Sequence, residues 1–162
     1  MPDRIYLTRV EDEEDFSYFA QLAFNREVME MNMGRVFTQE EANFVFDMML
    51  SYNRENTDSG SYLVFSKDDQ FLGLGTLQIG EGDAEVEYML LPKFWHRGYA
   101  TELVAMLLKL AKENGTVKKV SGLTDPKNIP SQKVLIKNSF TYASSFLVEE
   151  DGSQVDIYSI EI

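Results

Sequence analysis

The chain has 162 residues, 44% of them hydrophobic and 26% charged, values at which one ordinary domain buries a core without disulfide or metal staples. It carries 15 Lys+Arg against 27 Asp+Glu, a formal net charge of −12, which argues against nucleic acid or an anionic membrane as partner and tilts the molecular field toward cationic ligands. With no cysteine, one histidine, no apolar run of membrane-spanning length and no apolar signal core after Met1, the expectation is a cytoplasmic protein with no disulfide, no metal site and no cysteine nucleophile.

Ile5 to Val10 alternates and is rich in β-formers, so a first strand is predicted there. The acidic run Glu11–Asp15 suits the first turn of a helix carrying Phe16, Phe19, Leu22 and Ala23. Residues 25–33 fit either a short helix or a loop. Thr38 with Glu41 forms a capping-box pattern ahead of a helix with Ala42, Phe44, Val45, Met48 and Met49, and the polar stretch 51–60 is predicted as a loop. Strands are expected at 61–66 and 71–79, joined by a turn, and at 84–91. A helix face through Leu103, Met106, Leu107, Leu110 and Ala111 ends at Asn114-Gly115. The strand 116–124 follows that helix and so is expected to run parallel to the strand 84–91. A helix over 131–137 and strands at 140–148 and 154–161 close the chain. No linker or repeat interrupts it, and residues 1–162 are expected to form a single α/β domain.

Between the strand 84–91 and the next helix lies Phe94-Trp95-His96-Arg97-Gly98-Tyr99-Ala100-Thr101-Glu102. Gly98 and Ala100 let a ligand approach the backbone, and the first-turn N–H groups of the helix have no intrahelical partner and lie at its positive dipole end. Thr101 adds a hydroxyl and Arg97 a charge. The chemistry is that of an anion cradle, although a strand-to-helix turn alone accounts for Gly98 equally well.

Trp95 to Ala100 resembles the acetyl-CoA-binding motif Q/R-x-x-G-x-G/A of the GNAT superfamily of N-acetyltransferases. The wider run is similar to the RimJ/RimL-type branch at Trp95, Gly98, Tyr99, Ala100, Thr101 and Glu102, and departs from it at His96, where the branch usually has glycine. The resemblance implies a mixed α/β fold of about seven mostly antiparallel strands, with a central parallel pair splayed at the acetyl-CoA site and about four flanking helices. It also implies that the strand before the cradle bulges, so that backbone groups of Met89 and Leu90 pair with pantetheine and polarise the thioester carbonyl. Asn128-Ile129-Pro130-Ser131 is similar to the branch's Asn-x-x-Ser, whose asparagine reaches the pantetheine or acceptor and whose serine lies near the cofactor sulfur. Both residues are also good helix caps.

Two glutamates, Glu85 and Glu87, share one side of their strand, with Val86 and Tyr88 on the other. The resemblance implies that one of them removes the amine proton through water; surface solvation is the competing account of each. Leu135 stands where many superfamily members place a tyrosine that protonates the leaving thiolate, which leaves Ser131 or solvent as the acid. Phe94 and Trp95 are expected to brace the turn. His96 either adds charge to the cradle or points into water, and Arg97, Lys133 and Lys137 are candidates for the cofactor's 3′-phosphate.

The cofactor-binding set is thus Tyr88, Met89, Leu90, Trp95, His96, Arg97, Gly98, Tyr99, Ala100, Thr101, Asn128, Ser131 and Lys133, and the catalytic set Glu85, Glu87, Asn128 and Ser131. Together they imply acetyl transfer from acetyl-CoA to a primary amine, a peptide N-terminus or small cationic amine, by a monomer or homodimer. The alternative is a non-catalytic acyl-CoA sensor or partner-binding module on a degenerate fold of the same kind.

Overall fold

Strand β1 (Ile5–Arg9) opens the computed structural model, which describes residues 3–162. A helical layer follows, made of α1 (Phe16–Ala23), α2 (Arg26–Asn32) and α3 (Gln39–Glu55). The meander β2 (Gly60–Ser66), β3 (Phe71–Ile79) and β4 (Asp83–Leu90) leads into α4 (Tyr99–Asn114). The chain ends with β5 (Lys119–Thr124), α5 (Ile129–Lys137), β6 (Thr141–Leu147) and β7 (Gln154–Glu161).

The strands form one seven-stranded sheet in the order β1-β2-β3-β4-β5-β7-β6. Every neighbouring pair is antiparallel except β4 and β5. That parallel pair is short: Asp83–Val86 run beside Lys119–Gly122, after which β4 stays with β3 while Leu123 and Thr124 stay with β7. The sheet therefore opens between the second half of β4 and the end of β5. Pairing of β3 with β4 runs without a register shift from Ile79↔Ala84 to Gly73↔Leu90, so the strand diverges without the bulge that the family resemblance implies.

Each face of the sheet has its own core. Val86, Leu90, Leu103, Leu107, Val120 and Leu135 are buried on the face covered by α4 and α5. On the other, Phe19, Leu22, Met29, Phe46, Leu63 and Leu74 pack under α1, α2 and α3. Burying one such side chain contributes about 1.5–3 kcal/mol, so each layer is anchored before any ligand is considered. Alternation along β4 decides which face its side chains meet: Val86 and Leu90 join the first core, Met89 packs against the second.

Local chemistry changes several element boundaries. Asn25 accepts a hydrogen bond from the Val28 N–H and caps α2, which makes residues 26–32 a helix and raises the number of α-helices among the described residues to five. The loop expected at 51–60 is helical as far as Glu55. Its polar Asn53 is used inward, donating to the Val10 and Ser61 carbonyls and accepting from the Ser61 N–H. Thr38 and Glu41 do form the capping box, and the Arg35 guanidinium bonded to Glu41 helps hold that carboxyl at about 2. Of the two residues expected to cap α5, only Asn128 does so, accepting from the Ser131 N–H; Ser131 lies in the first turn. The left-handed residue after α5 is Ser139 at φ 71°, while Asn138 keeps a negative φ and donates to the Thr101 and Val134 carbonyls, tying α5 to α4.

Candidate active site

Where β4 leaves β5, a cleft of about 560 Å³ crosses the sheet. One wall is the start of α4, from Gly98 to Thr101. The opposite wall is the start of α5 from Asn128, with Lys133 and Lys137 farther along it. Tyr88, Met89 and Leu90 form the floor, and Val28, Met31 and Asn32 of α2 reach it from the far face.

The wall at α4 presents free main-chain donors to the cleft. Gly98 precedes the helix at φ 82° and contributes no side-chain cap. The first backbone bond of the helix is Glu102 N–H to the Gly98 carbonyl, at 3.1 Å, which leaves the N–H groups of Tyr99, Ala100 and Thr101 for a ligand at the positive end of the helix. A Cβ on Gly98 would stand 3.3 Å from the Arg4 guanidinium. Arg4 also pairs with Glu102 at 3.0 Å and lies over the Tyr99 ring, 4.3 Å from its centroid. The ring meets Phe94 edge-on from another side. Arg4 thus fixes the cradle from 98 positions away in the chain, a distance at which no local sequence pattern points to it.

The floor is set by strand phase. Leu91 N–H bonds to the Leu72 carbonyl and Gly80 N–H to the Asp83 carbonyl. With the continuous β3–β4 register, these bonds direct the main-chain groups of Met89 toward β3 and those of Tyr88 and Leu90 toward the opening. Met89 therefore lines the cleft by its side chain, and its main-chain groups, expected at the cofactor, face β3 instead. Trp95 donates its indole N–H to the Leu90 carbonyl at 2.8 Å. It braces the turn while also lining the cleft, and Phe94 beneath it is buried.

Every sequence candidate for the cofactor lines the cleft except Arg97. His96 lines it and is held at φ 62°, in the left-handed region where the branch's usual glycine is strain-free. Left-handed backbone costs an L-residue ~1–2 kcal/mol, and glycine returns part of that as chain entropy, ~0.5–1 kcal/mol. His96→Gly is accordingly expected to raise the melting temperature by roughly 2–4 °C for about 1 kcal/mol gained. A lower melting temperature by calorimetry would mean that the imidazole makes a contact that outweighs the strain.

The catalytic candidates divide between the two faces. Ser131 Oγ lies 2.8 Å from the Tyr88 hydroxyl, and Asn128 lines the cleft beside it. Glu85 and Glu87 are on the other face, beside Gln78 and Thr76 of β3, with Ser121 of β5 next to Glu85; neither lines the cleft. Partial burial raises the pKa of Glu85, and the charge of Glu87 adds to that rise; desolvation by its neighbours also raises Glu87, although that residue is solvent-exposed on the strand. A raised pKa is what desolvation alone does to a carboxyl, and it makes each a weaker acid than an ordinary glutamate. Leu135, at the position of the superfamily tyrosine, is buried against Gly122, where an added Cβ would meet it at 2.8 Å.

Residues 4–141 match the model of the Acetyltransferase (GNAT) domain family. An uncharacterised N-acetyltransferase, p20, of Bacillus licheniformis is 23% identical over 99% of this chain and 93% of its own. An acetyltransferase of Salmonella typhimurium that modifies the N-terminal serine of 50S ribosomal subunit protein L7/L12 superposes with a TM-score of 0.84 at 18% identity, covering 99% of this chain and 96% of that one. Spermidine N-acetyltransferase from Vibrio cholerae, solved with CoA and spermine, gives a TM-score of 0.80 at 15% identity with the same coverages.

Proposed function

This chain belongs to the GNAT acetyltransferase domain family, and from that premise we propose that it transfers the acetyl group of acetyl-CoA to a primary amine, a peptide N-terminus or a small cationic amine. The observation that carries the proposal is the set of unpartnered N–H groups at the start of α4, facing a cleft that crosses the sheet where β4 leaves β5. The residues fit acetyl-CoA. The N–H groups of Tyr99, Ala100 and Thr101 hold the pyrophosphate, and Lys133 and Lys137 draw phosphate charge to the rim. Arg97, outside the cleft, is left for a phosphate projecting beyond it. The main-chain groups of Tyr88 and the N–H of Leu90, whose carbonyl is already bonded to Trp95, pair with the pantetheine arm.

Acetyl-CoA supplies an already activated thioester, so the protein's tasks are alignment, carbonyl polarisation and proton movement. Glu85 and Glu87 take the amine proton through water on the α2 side, and Asn128 and Ser131 serve the thioester on the α5 side. The amine class follows the two structural neighbours, one named for spermidine and one for a protein N-terminal serine, and accords with the net charge of −12. We further propose that the chain works as one domain in the cytoplasm; no helix among the described residues is long and apolar enough to cross a membrane.

The test is a thiol-release assay with acetyl-CoA against N-terminal peptides, polyamines and aminoglycosides, with mass spectrometry of the amine. An acetylated product supports the proposal. Tight acetyl-CoA binding without turnover on any acceptor would favour the second reading, an acyl-CoA sensor, which the buried Leu135 at the tyrosine position motivates.

A further inference from the structure

With Leu135 enclosed in the core, α5 offers no phenol to the cleft. The phenol comes from the other side of the opening. Tyr88 of β4 points its ring to the α4 and α5 face, and its hydroxyl lies 2.8 Å from Ser131 Oγ and 3.2 Å from the Ser131 carbonyl. Both residues line the cleft at the point where β4 departs from β5. The contact joins residues 43 positions apart, across the opening between β4 and the start of α5.

We propose that Tyr88 supplies, through Ser131, the proton that the departing thiolate takes up. The inference rests on the acetyltransferase reading above. As the amine nitrogen forms its bond to the acetyl carbon and the carbon–sulfur bond breaks, the sulfur keeps the bonding electron pair and takes the Ser131 hydroxyl proton. Ser131 takes the Tyr88 proton in turn. The attacking nitrogen loses one proton to the carboxylate side, and solvent returns one to the Tyr88 phenolate, so the protons balance. Burial raises the pKa of Tyr88 and the Ser131 hydrogen bond offsets part of that rise, which keeps the phenol protonated at neutral pH. The other titratable or charged groups lining the cleft are His96, Tyr99 of α4, and Lys133 and Lys137 of α5; Glu85 and Glu87 lie across the sheet.

Tyr88→Phe keeps the ring and removes the hydroxyl. It is expected to bind acetyl-CoA with wild-type affinity in calorimetry, to lower kcat by about 10–100-fold, at or below the usual range for one positioned acid, and to remove the alkaline fall in kcat. A readout independent of turnover is the phenolate absorbance difference between wild type and Tyr88→Phe, titrated with CoA and with desulfo-CoA. The Tyr88 transition is expected at higher pH with CoA, because a nearby thiolate opposes a second negative charge. An active wild type whose Tyr88→Phe variant keeps kcat and its alkaline limb overturns the proposal and leaves the acetyltransferase reading intact, as does an identical Tyr88 transition with the two cofactors. A wild type that binds acetyl-CoA yet acetylates no amine overturns both.

Discussion

Gly98→Glu is expected to weaken acetyl-CoA binding by at least about 100-fold, roughly 2.7 kcal/mol, while the protein stays folded. Two effects combine at this position. The backbone is left-handed at φ 82°, which costs a side chain ~1–2 kcal/mol. The new carboxylate also enters the field of the α4 N-terminus, where it competes with and repels the pyrophosphate. Ala100→Glu separates the two, since residue 100 is in right-handed helix and lines the same wall. Loss in both variants identifies charge at the helix end as the cause. Isothermal titration calorimetry with acetyl-CoA makes the measurement, and wild-type affinity in Ala100→Glu would show that the ligand's phosphates lie elsewhere.

The double variant Glu85→Gln/Glu87→Gln addresses the opposite face. If these carboxylates take the amine proton, kcat/KM at neutral pH falls by about 100-fold or more, the scale of a general base, and acetyl-CoA binding is unchanged. A base works when deprotonated, and both pKa values are raised by desolvation. The acid limb of the wild-type profile therefore lies at higher pH than an ordinary glutamate would give, and the double variant loses it. Stability should move the other way. A carboxyl whose folded pKa is raised binds its proton more tightly in the native state, so stability declines as pH rises from the ordinary glutamate range through the raised values. The ionised form of the pair costs stability, and neutral amides are expected to keep or raise the melting temperature. Unchanged kcat/KM would assign both residues to solvated surface.

Much of this site is legible in the sequence because its chemistry is local. A helix whose first turn lacks partners needs only a small residue before it, and Gly98 with Ala100 shows that in a few positions. Strand alternation alone separates Glu85 and Glu87 from Tyr88. Features that depend on distant contacts were not legible. Arg4 under the cradle, Asn53 prolonging α3, and α2 at the far end of the cleft all rest on tertiary partners. The phase of the β3–β4 hydrogen bonds, which turns the Met89 backbone away from the opening, depends on register rather than on residue type. The Tyr88–Ser131 contact belongs to the same group: each residue is visible in the sequence, but the topology brings them together.

The claim on which the rest depends is that this cleft is the acetyl-CoA site with its reacting end at the parting of β4 and β5. A crystal structure of the protein with coenzyme A bound tests it most directly. The expected result is pyrophosphate on the N–H groups of Tyr99, Ala100 and Thr101, the pantetheine arm along Tyr88 and Leu90, and the sulfur beside Ser131. Coenzyme A bound anywhere else, or bound in the cleft with its sulfur away from Ser131, would contradict it.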